Sequence, residues 1–558
     1  MEKVRAILFD TRSIQKYLFS GNKLKTNIGA SYIVAHVFQD VLVDGTDNRK
    51  GILKQRYGDK LDGKSWQEKD PPASIPEGKK CYVAYIGGGN ALVLLRYEIG
   101  EEECREIVKE FTSTLLTLYP GLQTGAAIGE LTLSDEKDPA SGGKESYFQT
   151  SFNKLHDKLK KQQNEMLVQV NPFYTGLTLS CPVNGEAANG YDVYGSSDNN
   201  EEGRFFSQEV IAKKNAAPKA NEDLQKILKK VCPDKAEKYV FPEEIDKLGQ
   251  KKGENDIAII HIDGNNMGMK FNEAATTLAL RSKLSAKLPC KTEASFTKLV
   301  RQIVEEYEKY RDVLAIGGDD DKEMYLPIRP LILGGDDVTF ICPAKTALLY
   351  AVRFMRQMKT DEDGDPISTC GGIAILPASY PFFRGYELAE QLCGAAKAKS
   401  RDDSDSCWLD FAILHGEQAP TLEQIREREY RGLVGKNMHF GPYRVDSDET
   451  EFSLCHLLKR IQNFQKLPSN KVKELRFVLQ KDTHEIHTFL EQLQHNGQNI
   501  QDAYEKDPYA KEPLWEDTNL GDGKTEKRTP WVDAIEMMDY YMDEEKFSYV
   551  LDNSGKEE

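Results

Sequence analysis

Leu331-Ile332-Leu333-Gly334-Gly335-Asp336-Asp337-Val338-Thr339-Phe340-Ile341-Cys342-Pro343 reads as two short apolar strands folded about a tight turn, with paired carboxylates just past the bend. Glycines permit positive φ at such a turn and let a phosphate chain approach the backbone with no Cβ in the way. Two adjacent aspartates in apolar surroundings are costly unless a cation neutralises them, and hard oxygen ligands suit Mg²⁺. The partner segment lies upstream, where Asp256-Ile257-Ala258-Ile259-Ile260-His261-Ile262-Asp263-Gly264-Asn265-Asn266-Met267-Gly268 is an apolar strand ending in an aspartate and a glycine-containing turn. As neighbouring strands, the two segments would bring Asp263, Asp336 and Asp337 to one edge of a sheet. That edge would suit one or two Mg²⁺ ions clamping a nucleoside triphosphate for in-line attack.

Working outward, the same order of elements occurs twice. The strand Val4–Phe9 ends at Asp10, the segment from Tyr82 to Leu95 is a strand–turn–strand with Gly87-Gly88-Gly89-Asn90 at its bend, and Leu122–Gly129 supplies one more strand. Between them a helix is expected from about Gly29 to Val43, and another carries Cys104, Ile107, Val108, Phe111 and Leu115 at helical spacing. In the second copy Asp263 matches Asp10, Gly334–Asp337 match Gly87–Asn90, and Thr369–Ile373 match Thr124–Ile128. Its helices present Phe296, Leu299, Val300, Ile303, Val304 and Tyr307 along one stripe, then run near Ala347–Met358 and Tyr386–Lys399. The fold class expected is α/β (α+β), with two ferredoxin-like palm domains. The expected division is a degenerate first palm over 1–140, a mixed, helical linker over 141–250, a catalytic palm over 251–415, and a helical C-terminal domain over 416–558. The first copy has Gly89 and Asn90 where the second has Asp336 and Asp337, so it keeps the fold without the carboxylate pair.

The 558 residues carry a net charge of −16, which argues against a generally basic nucleic-acid binder. Ten cysteines are scattered without a Cys-x-x-Cys pair, so reduced thiols and a cytoplasmic location are expected, with no zinc. The opening strand leaves no room for a signal peptide, and no apolar run approaches the roughly 20 residues of a membrane helix.

Rival motifs are weaker. A second Gly-Gly-Asp-Asp, at 317–320, is followed by polar residues rather than a strand and reads as a solvated loop after a helix stop. His156-Asp157 lies on a polar helical face without the further spaced histidines that an HD phosphohydrolase needs. Gly523-Lys524-Thr525 resembles the end of a P-loop, but Thr518 stands where its first glycine belongs. Lys397 is either a phosphate-reaching lysine or an ordinary surface one.

With these residues in view, the chain resembles the large polymerase/cyclase subunit family of type III CRISPR effector complexes. The resemblance rests on the duplicated palm, the Asp263–Gly268 turn and the hairpin preceded by Pro327-Ile328-Arg329-Pro330. It also rests on the opening Phe9–Tyr17 with Asn22-Lys23-Leu24-Lys25 and Gly29-Ala30-Ser31. The palm motif is similar, more distantly, to that of diguanylate cyclases. The resemblance implies a nucleotidyltransferase that makes a cyclic oligoadenylate second messenger from ATP in antiviral defence. It implies Mg²⁺ (or Mn²⁺) held by Asp263, Asp336 and Asp337, which are also the catalytic residues. Cofactor-binding positions would be Gly334, Gly335, Lys397, Gly264 and Asn266, with Gly88 and Asn90 in the first copy. Implied partners are ATP, guide and target RNA through other effector subunits, and a downstream effector activated by the product, with no membrane. Three departures from the family pattern stand out: the first palm begins at residue 4 without an HD nuclease domain, Cys181-Pro182-Val183-Asn184 replaces a Cys-x-x-Cys, and Asn265 replaces an aspartate. Two other readings stay open: a scaffold subunit of an RNA-guided complex with an idle palm, and a stand-alone cyclic dinucleotide synthase.

Overall fold

The computed structural model describes every residue except 1, 47, 166–175, 194–202, 250–254, 275, 317–322, 360–365, 402, 404, 417–420, 432–435, 498–515, 520–524, 544–545 and 550–558. The second Gly-Gly-Asp-Asp therefore lies outside the described residues, as do Gly523 and Lys524. The chain forms two compact units, one of Met1–Glu237, Asn266–Ala294 and Leu331–Val338, the other of Lys238–Asn265, Ser295–Pro330 and Thr339–Glu558.

The first unit opens with β1 (Glu2–Arg12), α1 (Leu24–Val37), β2 (Cys81–Gly87), β3 (Asn90–Arg96), α2 (Glu101–Leu118) and β4 (Gln123–Leu133). Its sheet runs β2-β3-β1-β4, with the two-residue strand Leu61–Asp62 added parallel to β2. β1 pairs antiparallel with both β3 and β4, and β2 with β3. That is the ferredoxin-like order, in which the βα crossovers put helices over one face of an antiparallel sheet. Helix α2 forms because Cys104, Ile107, Phe111 and Leu115 recur every three or four residues, and all four are buried. Phe111 meets Phe9 of β1 edge-on at 5.1 Å and stacks on Phe38 at 5.6 Å. Two further long helices of this unit are α3 (Tyr147–Glu165) and α4 (Gln208–Val231). α4 crosses α1 so closely at Gly29 that a Cβ there would stand 1.7 Å from the Lys213 carbonyl oxygen.

The second copy follows the same plan with β5 (Asp256–Gly264), α5 (Leu278–Glu305), β6 (Arg329–Gly334), β7 (Asp337–Pro343), α6 (Ala347–Lys359), β8 (Thr369–Pro377) and α7 (Phe382–Ser400). Its strands run β6-β7-β5-β8, the order of the first sheet repeated. Two strands extend it: β9 (Trp408–Ile413), parallel to β8, and β10 (Tyr443–Arg444), antiparallel to β9. The first part of α5 and the hairpin tip at Leu331–Val338 are counted with the first unit, the rest of those elements with the second.

The region after Gly416 is helical over Leu454–Gln465, Ser469–Val478, Thr483–His495 and Trp531–Met537, as its apolar stripes predict. It also holds a small sheet of Lys436–Asn437, Thr525–Arg528 and Glu516–Asn519. Those strands are short and polar, so no apolar alternation announces them. Buried charges tie β9 to the C-terminal helices. Asp410 on β9 accepts from Arg426 Nη2 at 2.9 Å and faces His439 Nε2 at 3.0 Å, while His439 Nδ1 meets Asp533 Oδ1 at 2.9 Å. Asp533 Oδ2 also accepts from the Phe440 and Gly441 amides and, at 2.6 Å, from the Tyr443 hydroxyl. Burial disfavours ionisation of both aspartates, but the cations and donors around them outweigh it and hold both carboxyls below their usual range.

Candidate functional site

In the second unit, β5 delivers Asp263 one residue before its end, in register with Cys370 of β8. Helix α7 lies against β8 because Gly372 carries no side chain. A Cβ on Gly372 would stand 2.1 Å from the Ala389 carbonyl oxygen and 2.6 Å from the Cys393 nitrogen. The Cys393 thiol accordingly reaches the Cys370 carbonyl at 3.3 Å. One turn further along α7, Lys397 Nζ meets Asp263 Oδ2 at 2.5 Å, with both side chains about one-third exposed. Burial draws the Lys397 ammonium down, but the Asp263 carboxylate outweighs it and the net shift is upward. Lys397 is therefore neither a free phosphate hook nor a bystander: it is the cation that engages Asp263.

Two residues before Asp263, His261 is buried, with Nδ1 3.1 Å from the Thr339 hydroxyl. Burial pushes it down to about 4, with Asp263 opposing and Lys397 assisting, so its ring is neutral at physiological pH. After Asp263 the chain turns through Gly264 and Asn265 to Asn266, which adopts φ +55°. Asn265 is 2% exposed, and its Nδ2 donates to the Ser406 carbonyl at 2.9 Å just before β9. A carboxylate cannot make that donation, which gives the departure at Asn265 a structural reason.

The hairpin tip belongs to the first unit. Gly335 and Asp336 form the two-residue turn between β6 and β7, and Asp337 is the first residue of β7. Gly335 takes φ +62°, the conformation its sequence predicts, while Gly334 ends β6 with nothing within 4 Å of a Cβ position. The Thr292 hydroxyl on α5 donates to the Gly335 carbonyl. Nothing in the sequence singles out this threonine, since it lies on a helix far from any motif.

In the first copy Gly88 and Gly89 form the equivalent turn with φ +60° and +78°, and Asn90 opens β3 in register with Asp10. Asp10 Oδ2 accepts from Gln163 Nε2 at 2.8 Å. Cys181, of the Cys181–Asn184 segment, is buried with Phe206 and Val210. Among the described residues, no three His, Cys, Asp or Glu side chains are grouped so as to hold a metal ion. By donor chemistry, the Asp263 carboxylate suits a hard divalent cation, which would compete with Lys397 for it. None of the described helices is long and apolar enough to cross a membrane.

Comparison with known proteins bears on these strands. Residues 256–405 match the Cas10/Cmr2 second palm domain. This palm segment contains Asp263, Thr292, the hairpin and Lys397, and leaves Gly88 and Asn90 outside it. Among solved structures, a chain of a Csm1-Csm4 cassette in complex with cA4 is similar at 13% identity and a TM-score of 0.51, over 96% of this chain and 70% of its own. The same cassette in complex with pppApA gives 13% identity and a TM-score of 0.50, over 96% and 69%. At this identity the likeness concerns the fold. No curated protein matches.

Proposed function

We propose that the chain is a nucleotidyltransferase that joins ATP into a cyclic oligoadenylate in CRISPR-type antiviral defence. The observation that carries this reading is the match of 256–405 to a Cas10/Cmr2 second palm, with the Gly-Gly-Asp-Asp hairpin inside the matched segment. The strand that bears Asp263 neighbours the strand that Asp337 opens in one sheet, which supports assigning Asp263, Asp336 and Asp337 as the catalytic and metal-holding acids. A bound Mg²⁺ or Mn²⁺ supplies charge neutralisation at the phosphates and a more acidic ribose hydroxyl.

The chain's own groups do the rest. Gly334 leaves the backbone open where a triphosphate would pass, and the turn amides offer donors to it. Were a cation held by Asp263, Lys397 would be the nearby ammonium able to turn to a phosphate oxygen. Gly264 and Asn266 bound the same strand end, and Gly88 and Asn90 offer the corresponding turn of the first copy to a second nucleotide. The complexes of the similar structures, with cA4 and pppApA, fit adenine nucleotides as ligand class. A Csm4-like subunit, and through it guide and target RNA, is the proposed partner.

The test is incubation with labelled ATP or GTP and Mg²⁺, with and without partner subunits and target RNA, beside an Asp336→Ala/Asp337→Ala protein. A cyclic product from ATP that the double variant does not make is expected. Product that survives the double substitution overturns the site assignment. Absence of product under every condition leaves the scaffold reading, and equal rates without RNA favour the stand-alone synthase.

A further inference from the structure

We infer that Thr292 is a positioning residue for the Gly334–Asp337 turn, a role that rests on the proposed nucleotidyl transfer for its purpose but not for its geometry. In a two-residue hairpin turn the carbonyl of the first central residue is not used by the strand ladder, and a buried carbonyl needs a donor. Gly335 is buried, and the donor is the Thr292 hydroxyl, itself 1% exposed. Because a trans peptide is planar, its C=O and N–H point in opposite directions. Fixing the Gly335 oxygen toward α5 therefore aims the Asp336 amide away from the helix and sets the plane from which Asp336 departs. Free rotation of that one peptide would swing both the amide and the first acid of the pair.

The rest of α5 is built to hold this contact still. Leu288, one turn earlier on the same face, stands 3.9 Å from where a Gly335 Cβ would be. Ser285 lies two turns before Thr292, about 10 Å along the axis, and its carbonyl oxygen is 3.8 Å from the Cβ position of Gly87, beside the first copy's turn. Pro289 has no N–H to give that carbonyl, so the helix breaks its own hydrogen-bond ladder where it passes the two turns. At its start the helix is anchored by the Arg281 guanidinium, 3.8 Å over the Phe152 ring, and by the fully buried Ser282. One helical face thus touches both hairpin bends of the first unit.

The experiment compares wild type, Thr292→Val and Thr292→Ser in the full chain, by amide hydrogen exchange of peptides spanning 331–341 and by ATP turnover. Valine keeps the shape and loses the donor, whereas serine keeps the donor and loses the methyl. Exchange at the turn is expected to rise about tenfold in the valine variant, with peptides of β1–β4 unchanged, and to return near wild type in the serine variant. Turnover is expected to fall about tenfold in kcat with KM for ATP within about twofold, and serine is expected to restore it. Unchanged exchange in the valine variant, or a serine variant that exchanges as fast as valine, overturns the inference. If wild type makes no product but exchange responds as expected, the positioning role stands and the nucleotidyl-transfer reading fails.

Discussion

The turn at Gly88–Gly89 and the turn at Gly335–Asp336 occupy the same place in two copies of one topology, yet they are built differently. In the first, both central residues take positive φ, and a Cβ on Gly89 would stand 2.4 Å from Ile14 Cδ1. In the second, Gly335 alone of the pair has positive φ, so the next position accepts an L residue, and Asp336 occupies it. The left-handed main chain at that position favours glycine, which is the physical reason the first copy carries no acid there. A turn whose second central residue is not left-handed can present a carboxylate there; one whose second central residue is left-handed favours glycine at that position.

The sharpest way to break this contrast is to remove the acids from one turn and supply them to the other. Asp336→Ala/Asp337→Ala is expected to lower cyclic product formation by about a thousandfold, measured with labelled ATP. The reciprocal Gly89→Asp/Asn90→Asp protein is expected to gain no activity and to unfold more readily, and activity gained by it would refute the account of the closed turn. Next in size, Gly89→Ala should cost about 3 kcal/mol from overpacking and backbone strain together. Gly335→Ala meets only Leu288, at an ordinary contact distance, and should cost about 1 kcal/mol, both read from urea unfolding.

A second contrast is the strand β9, which extends the second copy's sheet beside β8, where among the described residues the first copy's β4 has no such neighbour. Asn265→Asp should destabilise by about 2 kcal/mol, because it loses the donation to Ser406 and turns a buried carboxylate toward a carbonyl oxygen. The equivalent position in the first copy, Arg12, has no such strand to hold. The smallest effect concerns pH. Burial and Arg426 pull His439 down, but Asp533 and Asp410 outweigh them, so its folded value is raised. Its contribution is complete below the ordinary value of 6.5 and is lost as pH rises through the folded value. Asp410 and Asp533 are lowered, so their contributions are present above the ordinary 3.8 and vanish as pH falls through their folded values. Wild-type melting temperature should hold between these limits and decline on either side. The alkaline decline should flatten in His439→Asn.

The duplicated architecture is legible in the sequence because each element announces itself by a short period. β1 carries the apolar run Ala6–Phe9 and β5 the run Ile257–Ile260, α2 shows a three-four repeat, and each hairpin bend is marked by glycines. The paired aspartates also stand out in the sequence as a candidate site, since paired acids next to apolar strands have few structural uses. The small sheet of Glu516–Asn519 and Thr525–Arg528 is not legible there, because its residues are polar and its pairing is decided by distant chain.

The same boundary runs through the candidate site. Sequence by itself determined the order of strands and helices, the two glycine turns and which one carries acids, because these depend on residues within a few positions of each other. The tertiary structure alone decided that Lys397 engages Asp263, that Asn265 clasps Ser406 and that Thr292 holds Gly335. Each of those contacts joins residues 43 to 141 positions apart, and only packing settings such as the bare backbone at Gly372 bring side chains of that separation within bonding distance.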